Sequence, residues 1–135
     1  MRKTLNRLML LSLVASAVAV GATKVSTVPV QFTPGANSAK LHGSFSGYDS
    51  VNYVLSAKAG QQMTIKIEGS SNANFNVFAP GDQPGKSTAL GSGYPGSDWS
   101  GTLPSSGKYT VQVYQMRASA RRGEKVPHDV TFLIK

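Results

Sequence analysis

Met63-Thr64-Ile65-Lys66-Ile67-Glu68 alternates strictly, with apolar side chains at 63, 65 and 67 and polar ones at 64, 66 and 68. A period of two marks a β-strand with one face buried and one in water, since a helix repeats every 3.6 residues. Tyr109-Thr110-Val111-Gln112-Val113-Tyr114 alternates in the same way, as does Val51 to Ala57, with Val51, Tyr53, Leu55 and Ala57 on one face. Further out, Val28, Val30 and Phe32 share a face, as do Leu41 and Phe45, Phe75 and Val77, Trp99 and Leu103, and Val130, Phe132 and Ile134. Pro34-Gly35, Gly47, Ala59-Gly60, Gly69 to Asn72 and Ser105-Ser106-Gly107 punctuate these runs, which makes about eight strands. Past residue 22 no segment carries a helical period. The expected fold is all-β, an antiparallel β-sandwich of about eight strands. Periodicity alone does not separate a sandwich from a closed barrel.

The N-terminus reads differently. Met1-Arg2-Lys3-Thr4-Leu5-Asn6-Arg7 is basic, Leu8 to Val20 is apolar except for Ser12 and Ser16, and Gly21-Ala22 is small. This is the anatomy of a secretory signal peptide over residues 1–22, cleaved after Ala22, and its apolar run is too short to cross a bilayer. Residues 23–135 then form a single domain, expected in a bacterial periplasm. The chain has no cysteine. Disulfides, Cys-ligated metals and thiol catalysis are therefore excluded. The formal charge is +8, and loss of Arg2, Lys3 and Arg7 leaves +5. Such a charge permits nucleic-acid or anionic-lipid binding. Neither is expected of a secreted domain with scattered lysines and no basic amphipathic helix.

Motifs for catalysis are weak. Gly81-Asp82-Gln83-Pro84-Gly85-Lys86-Ser87 resembles a phosphate-binding loop. It is one residue short between its glycines and no helix follows to supply the amide cradle, so a surface turn is the better reading. The acids past residue 22 are Asp49, Glu68, Asp82, Asp98, Glu124 and Asp129. Glu68 falls on an outward strand position, Asp82, Asp98 and Glu124 fall in loops, and Asp49 sits in a turn where it is expected to bond nearby backbone amides. His42 and His128 are both assigned to polar strand faces, without metal-ligand spacing. No G-x-S-x-G occurs. The expectation is a protein that is not an enzyme and needs no cofactor or metal.

Two long excursions interrupt the strands, Pro80 to Ser100 and Met116 to Pro127, and long loops in compact domains are often functional. The second holds Arg117, Arg121 and Arg122, the only arginines past residue 22. Arginine grips carboxylates and phosphates bidentately, whereas lysine is a solvated point charge. Arg117 and Arg121 are four apart and share a side if the segment turns helically, while Arg122 points elsewhere. A basic loop that keeps an edge soluble fits the window as well as a recognition loop does. Tyr48, in Ser46-Gly47-Tyr48-Asp49, reads either as an anchor for the turn or as a binding residue. Trp99 begins an expected strand and reads as core. Tyr94, in the first excursion, stays open. Together Tyr94 and Trp99 keep a second reading in view, a module that stacks cell-wall glycan.

Several segments combine into a family pattern: Gly47-Tyr48-Asp49 with Tyr53, Ala57-Lys58-Ala59-Gly60-Gln61, and Phe75-Asn76-Val77-Phe78-Ala79-Pro80-Gly81. Leu103-Pro104-Ser105-Ser106-Gly107-Lys108-Tyr109 follows, then Val113, Gln115, Met116-Arg117, Ala120-Arg121 and the terminal Ile134-Lys135. The whole domain resembles the periplasmic inhibitors of g-type (goose-type) lysozyme. The Leu-Pro-x-x-Gly-x-Tyr turn also occurs in β-sandwich modules appended to bacterial proteases. The resemblance implies a β-sandwich whose loops at one end enter a lysozyme cleft. It implies Tyr48, Arg117 and Arg121 as the contacts, with Asp49, Tyr94 and Arg122 as secondary candidates. It implies g-type lysozyme as the protein partner, with no part for nucleic acid or membrane.

Overall fold

A computed structural model describes residues 23–135; the expected signal peptide lies outside the described residues. The alternation at 63–68 is a strand, as are the others that share its period. In chain order the elements are β1 (Val25–Pro29), β2 (Ser38–Ser46), β3 (Ser50–Ala57), β4 (Gln62–Gly69), β5 (Asn74–Phe78), β6 (Gly91–Gly93), β7 (Trp99–Thr102), β8 (Gly107–Tyr114), α1 (Arg117–Arg121) and β9 (Lys125–Ile134). They form two sheets, one ordered β1-β3-β8-β5-β6 and the other β2-β9-β4-β7. The inward rows of the two sheets meet in one core. Tyr53, Phe75, Tyr109, Val111 and Val113 come from the first sheet, and Met63, Ile65, Ile67, Val130 and Phe132 from the second. Full burial of each such side chain stabilises the fold by about 1.5–3 kcal/mol.

The structure departs from the sequence expectation in four places. Nine strands occur among the described residues, because Gly91–Gly93 pairs with Val77–Phe75 inside the first long excursion. Two glycines and a serine carry no apolar pattern, so periodicity could not show this strand. The Trp99 indole packs over it: a side chain at Gly91 or Gly101 would collide with that ring. Second, β1 ends at Pro29 and pairs with β3 in parallel, Val25 opposite Ser50 and Pro29 opposite Val54. Alternation encodes which face is buried but not the direction of the partner. Third, Arg117–Arg121 is a helix, too short to reveal a 3.6-residue period.

The fourth departure is His128. It lies in the buried row of β9 with Val126, Val130 and Phe132, and is 1% exposed rather than on a polar face. Its Nδ1 faces the Val126 carbonyl at 3.3 Å and its Nε2 faces the Tyr53 hydroxyl at 2.8 Å. A carbonyl only accepts, so Nδ1 carries the proton and the phenol donates to Nε2. The ring is thus satisfied while neutral. Burial pushes the imidazole below its usual pKa and, with the charge of Asp129 adding, raises the Tyr53 phenol to about 12. Gly43 faces this pair across the β2–β9 ladder, and a Cβ there would lie 2.5 Å from the Tyr53 hydroxyl. His42 is exposed on the other face, as expected, and meets Asp129 across the strand pair at 2.7 Å. That hydrogen bond, foremost, holds the Asp129 carboxyl below its usual range.

Candidate functional site

The β2–β3 turn, the segment from Gln115 to Glu124 and the β4–β5 turn lie at the same end of the sandwich, because the registers place Ser46 opposite Lys125, Val51 opposite Val113 and Gly69 opposite His128. Tyr48 sits at the tip of the first turn and is 56% exposed. The ring therefore does not anchor the turn in the core. Asp49 does not bond a neighbouring amide. Its Oδ1 instead accepts from the Lys24 amide at 2.8 Å, while the Ser50 amide donates to the Lys24 carbonyl at 3.0 Å. The start of β1 is thereby fastened to the Tyr48 turn.

The second long excursion folds back as a compact cap. Met116 leaves the sheet with its side chain 61% exposed, and its carbonyl accepts from the Ala120 amide and the Ser119 hydroxyl. Ser119 and Ala120 are the buried face of α1, and Arg117 and Arg121 are exposed. Gly123 ends the helix at φ +72°, a left-handed conformation that glycine reaches without a steric penalty. Glu124 then ties three segments together. Its carbonyl accepts from the Gly47 amide, and its carboxylate accepts from Asn72 Nδ2 at 3.0 Å and from Arg122 Nε at 2.6 Å. Arg122 is thereby committed within its own loop. Among the described residues neither Arg117 nor Arg121 has a carboxylate partner.

Turn and cap touch directly: a Cβ on Gly47 would meet the Ala120 carbonyl oxygen at 3.7 Å. The structure therefore places Tyr48, Arg117 and Arg121, all exposed, on two loops that contact each other, with Asp49 half-buried in the first of them. Tyr94 is 55% exposed in a tight reversal closed by Tyr94–Ser97 backbone bonds. It follows β6 at the same end, with β5 between it and β8, roughly 10 Å away across two strand spacings. Gln115, buried beneath both loops, was not singled out as a site residue from the sequence. It continues the inward alternation of Val111 and Val113, and a polar residue at such a position is the signal that could have found it. The phosphate-loop resemblance ends in a surface turn, with the Lys86 and Ser87 amides on the Gln83 carbonyl and β6 following in place of a helix. No cluster of metal-ligating residues occurs among the described residues, and none of their helices is long and apolar enough to cross a membrane.

A two-sheet sandwich that offers from one end an aromatic turn and, in Arg117 and Arg121, arginines with no carboxylate partner among the described residues defines a class, the small β-domains that bind through end loops. The chain is 31% identical over 133 residues, 98% of each sequence, to the inhibitor of g-type lysozyme of Escherichia coli (strain K12), and it belongs to the family of g-type lysozyme inhibitors. Its backbone is similar to the crystal structure of Aeromonas hydrophila PliG, a periplasmic lysozyme inhibitor of g-type lysozyme. That comparison has a TM-score of 0.83 and 64% identity, covering 84% of this chain and 100% of the other. A mutant of the Escherichia coli protein, PliG-Ec, gives 0.64 and 30%, covering 85% and 100%. The collagenase pre-peptidase C-terminal domain of Bacillus anthracis shares the fold at 0.52 with 12% identity. No family model matches the chain. The solved relatives are periplasmic inhibitors rather than enzymes, and this chain is a periplasmic, non-enzymatic protein of the same kind.

Proposed function

We propose that this chain inhibits g-type lysozyme by seating the Tyr48 turn and α1 in the enzyme's substrate cleft. One observation carries the reading: Arg117 and Arg121 stand exposed beside an exposed tyrosine on loops that contact each other. Enzymes that cleave glycosidic bonds do so with carboxylates in a cleft. A guanidinium fork that reaches such a carboxylate forms charge-assisted hydrogen bonds, holds the acid ionised and fills substrate space. No covalent step is involved. Tyr48 adds contact area at small entropy cost, and Met116 offers an apolar neighbour. Asp49 supports the turn from below. Arg122, engaged with Glu124, is left out of the contact, and Tyr94 sits at the margin. A glycan-stacking module would need Trp99 as well as Tyr94, and Trp99 is packed against the core.

The test is lysis of cell walls by g-type, c-type and i-type lysozymes with and without the protein. Arg117→Ala and Arg121→Ala should each weaken inhibition of the g-type enzyme by about 2–5 kcal/mol, with thermal unfolding unchanged. A folded double variant that inhibits as well as the parent would remove these arginines from the site. Failure of the parent to inhibit any lysozyme would remove the function.

A further inference from the structure

Tyr48 and the arginines belong to loops far apart in sequence, and one side chain bonds to both of them beside the backbone bond from Gly47 to Glu124. Gln115 leaves the end of β8 and is 7% exposed. Its Nε2 donates to the Gly47 carbonyl at 3.0 Å and to the Glu124 carbonyl at 2.9 Å. The first acceptor precedes Tyr48, and the second lies three residues past Arg121. Both acceptors are carbonyl oxygens, so the amino group must face them. Oε1 points away and, buried, has no hydrogen-bond partner among the described residues. Both N–H groups of this buried carboxamide are therefore committed to the two loops. The satisfied end is the one that spans both loops.

We propose that Gln115 is a positioning residue for lysozyme inhibition, holding the Tyr48 turn and α1 in their binding arrangement before the enzyme arrives. The inference rests on the proposed function. A loop that must be ordered on binding loses affinity to that ordering, and a loop ordered in advance does not. Gln115→Met keeps the length and bulk of the side chain and removes both donated bonds. Tyr48 and the arginines remain present in that variant, but their loops lose the side-chain brace and keep only the bond from the Gly47 amide to the Glu124 carbonyl.

The experiment measures the inhibition constant against g-type lysozyme for the parent, Gln115→Met, Tyr48→Ala and the double variant, each shown to be folded at the assay temperature. Gln115→Met should raise the constant about tenfold. That loss should shrink to about twofold when Tyr48 is already alanine, because the turn then has less to position. A merely structural residue lowers the unfolding temperature and leaves the constant of the folded protein alone, so an unchanged constant in folded Gln115→Met overturns the proposal. A loss of equal size in both backgrounds overturns it too. If Gln115→Met does not fold, the side-chain amide protons of Gln115 in the free parent decide. Slow exchange with solvent supports a brace formed before binding, and exchange at the rate of an exposed amide overturns it. A parent protein that does not inhibit overturns the proposed function as well, a result distinct from the others.

Discussion

At the scale of single residues, the Tyr53–His128 pair makes stability depend on pH in two windows. His128 is held neutral in the folded state, with its pKa below the unfolded value of 6.5. Below that pH the unfolded chain binds a proton that the folded chain resists, so stability falls as the solution is acidified, by up to about 1.4 kcal/mol per pH unit. Tyr53 acts in the opposite direction. Its folded pKa of about 12 exceeds the unfolded 10, so its contribution is intact below pH 10 and is lost as pH rises from there to 12. Urea unfolding across pH should show both slopes, and His128→Gln should flatten the acid one. Gly43→Ala places a methyl against this pair and should cost about 1–3 kcal/mol at neutral pH. An unchanged denaturation midpoint would mean that the ladder moves aside without penalty. The sequence contained the clue to His128, since it is two residues from Val130 and two from Val126. Its polarity argued for water, and only the position of Tyr53 on the opposite sheet reveals how a buried imidazole is satisfied.

At the scale of elements, α1 is a helix that could not exist alone. Five residues cannot offset the entropy of nucleating a helix. It persists because Ser119 and Ala120 pack inward, Gly123 ends it and Glu124 fastens its exit. The amides of Ala120 and Gly123, bonded to the Met116 and Ala120 carbonyls, should therefore exchange with solvent slowly in the free protein. Exchange at random-coil rates would show that the cap is not formed in the free protein. These supports are tertiary, which is why the window Arg117–Arg122 could be flagged by its chemistry but not assigned a conformation. The longer strands were legible for the converse reason. In β4 and β8 every second side chain enters the core, so the pattern of burial is written in the residues themselves. Strand β6 has no apolar side chain to write it with, and the parallel partner of β1 is a property of two segments at once.

At the scale of the whole molecule, nothing covalent crosses the core. The chain lacks cysteine, and its unfolding temperature should be the same with and without a reductant. Stability rests on two sheets whose neighbours are distant in sequence, β2 beside β9 and β3 beside β8. Such pairings must close long loops before they gain contacts, so refolding is expected in milliseconds to seconds rather than microseconds, as stopped-flow fluorescence of Trp99 would record. The hydrogen bond from Lys24 to Asp49 also fixes where the polypeptide enters the domain. Entry is one residue from Tyr48, whereas the chain leaves at Lys135, paired with Gln62 at the far end. A handle attached ahead of Lys24 would crowd the face we propose for lysozyme, and a handle attached after Lys135 would present that face freely.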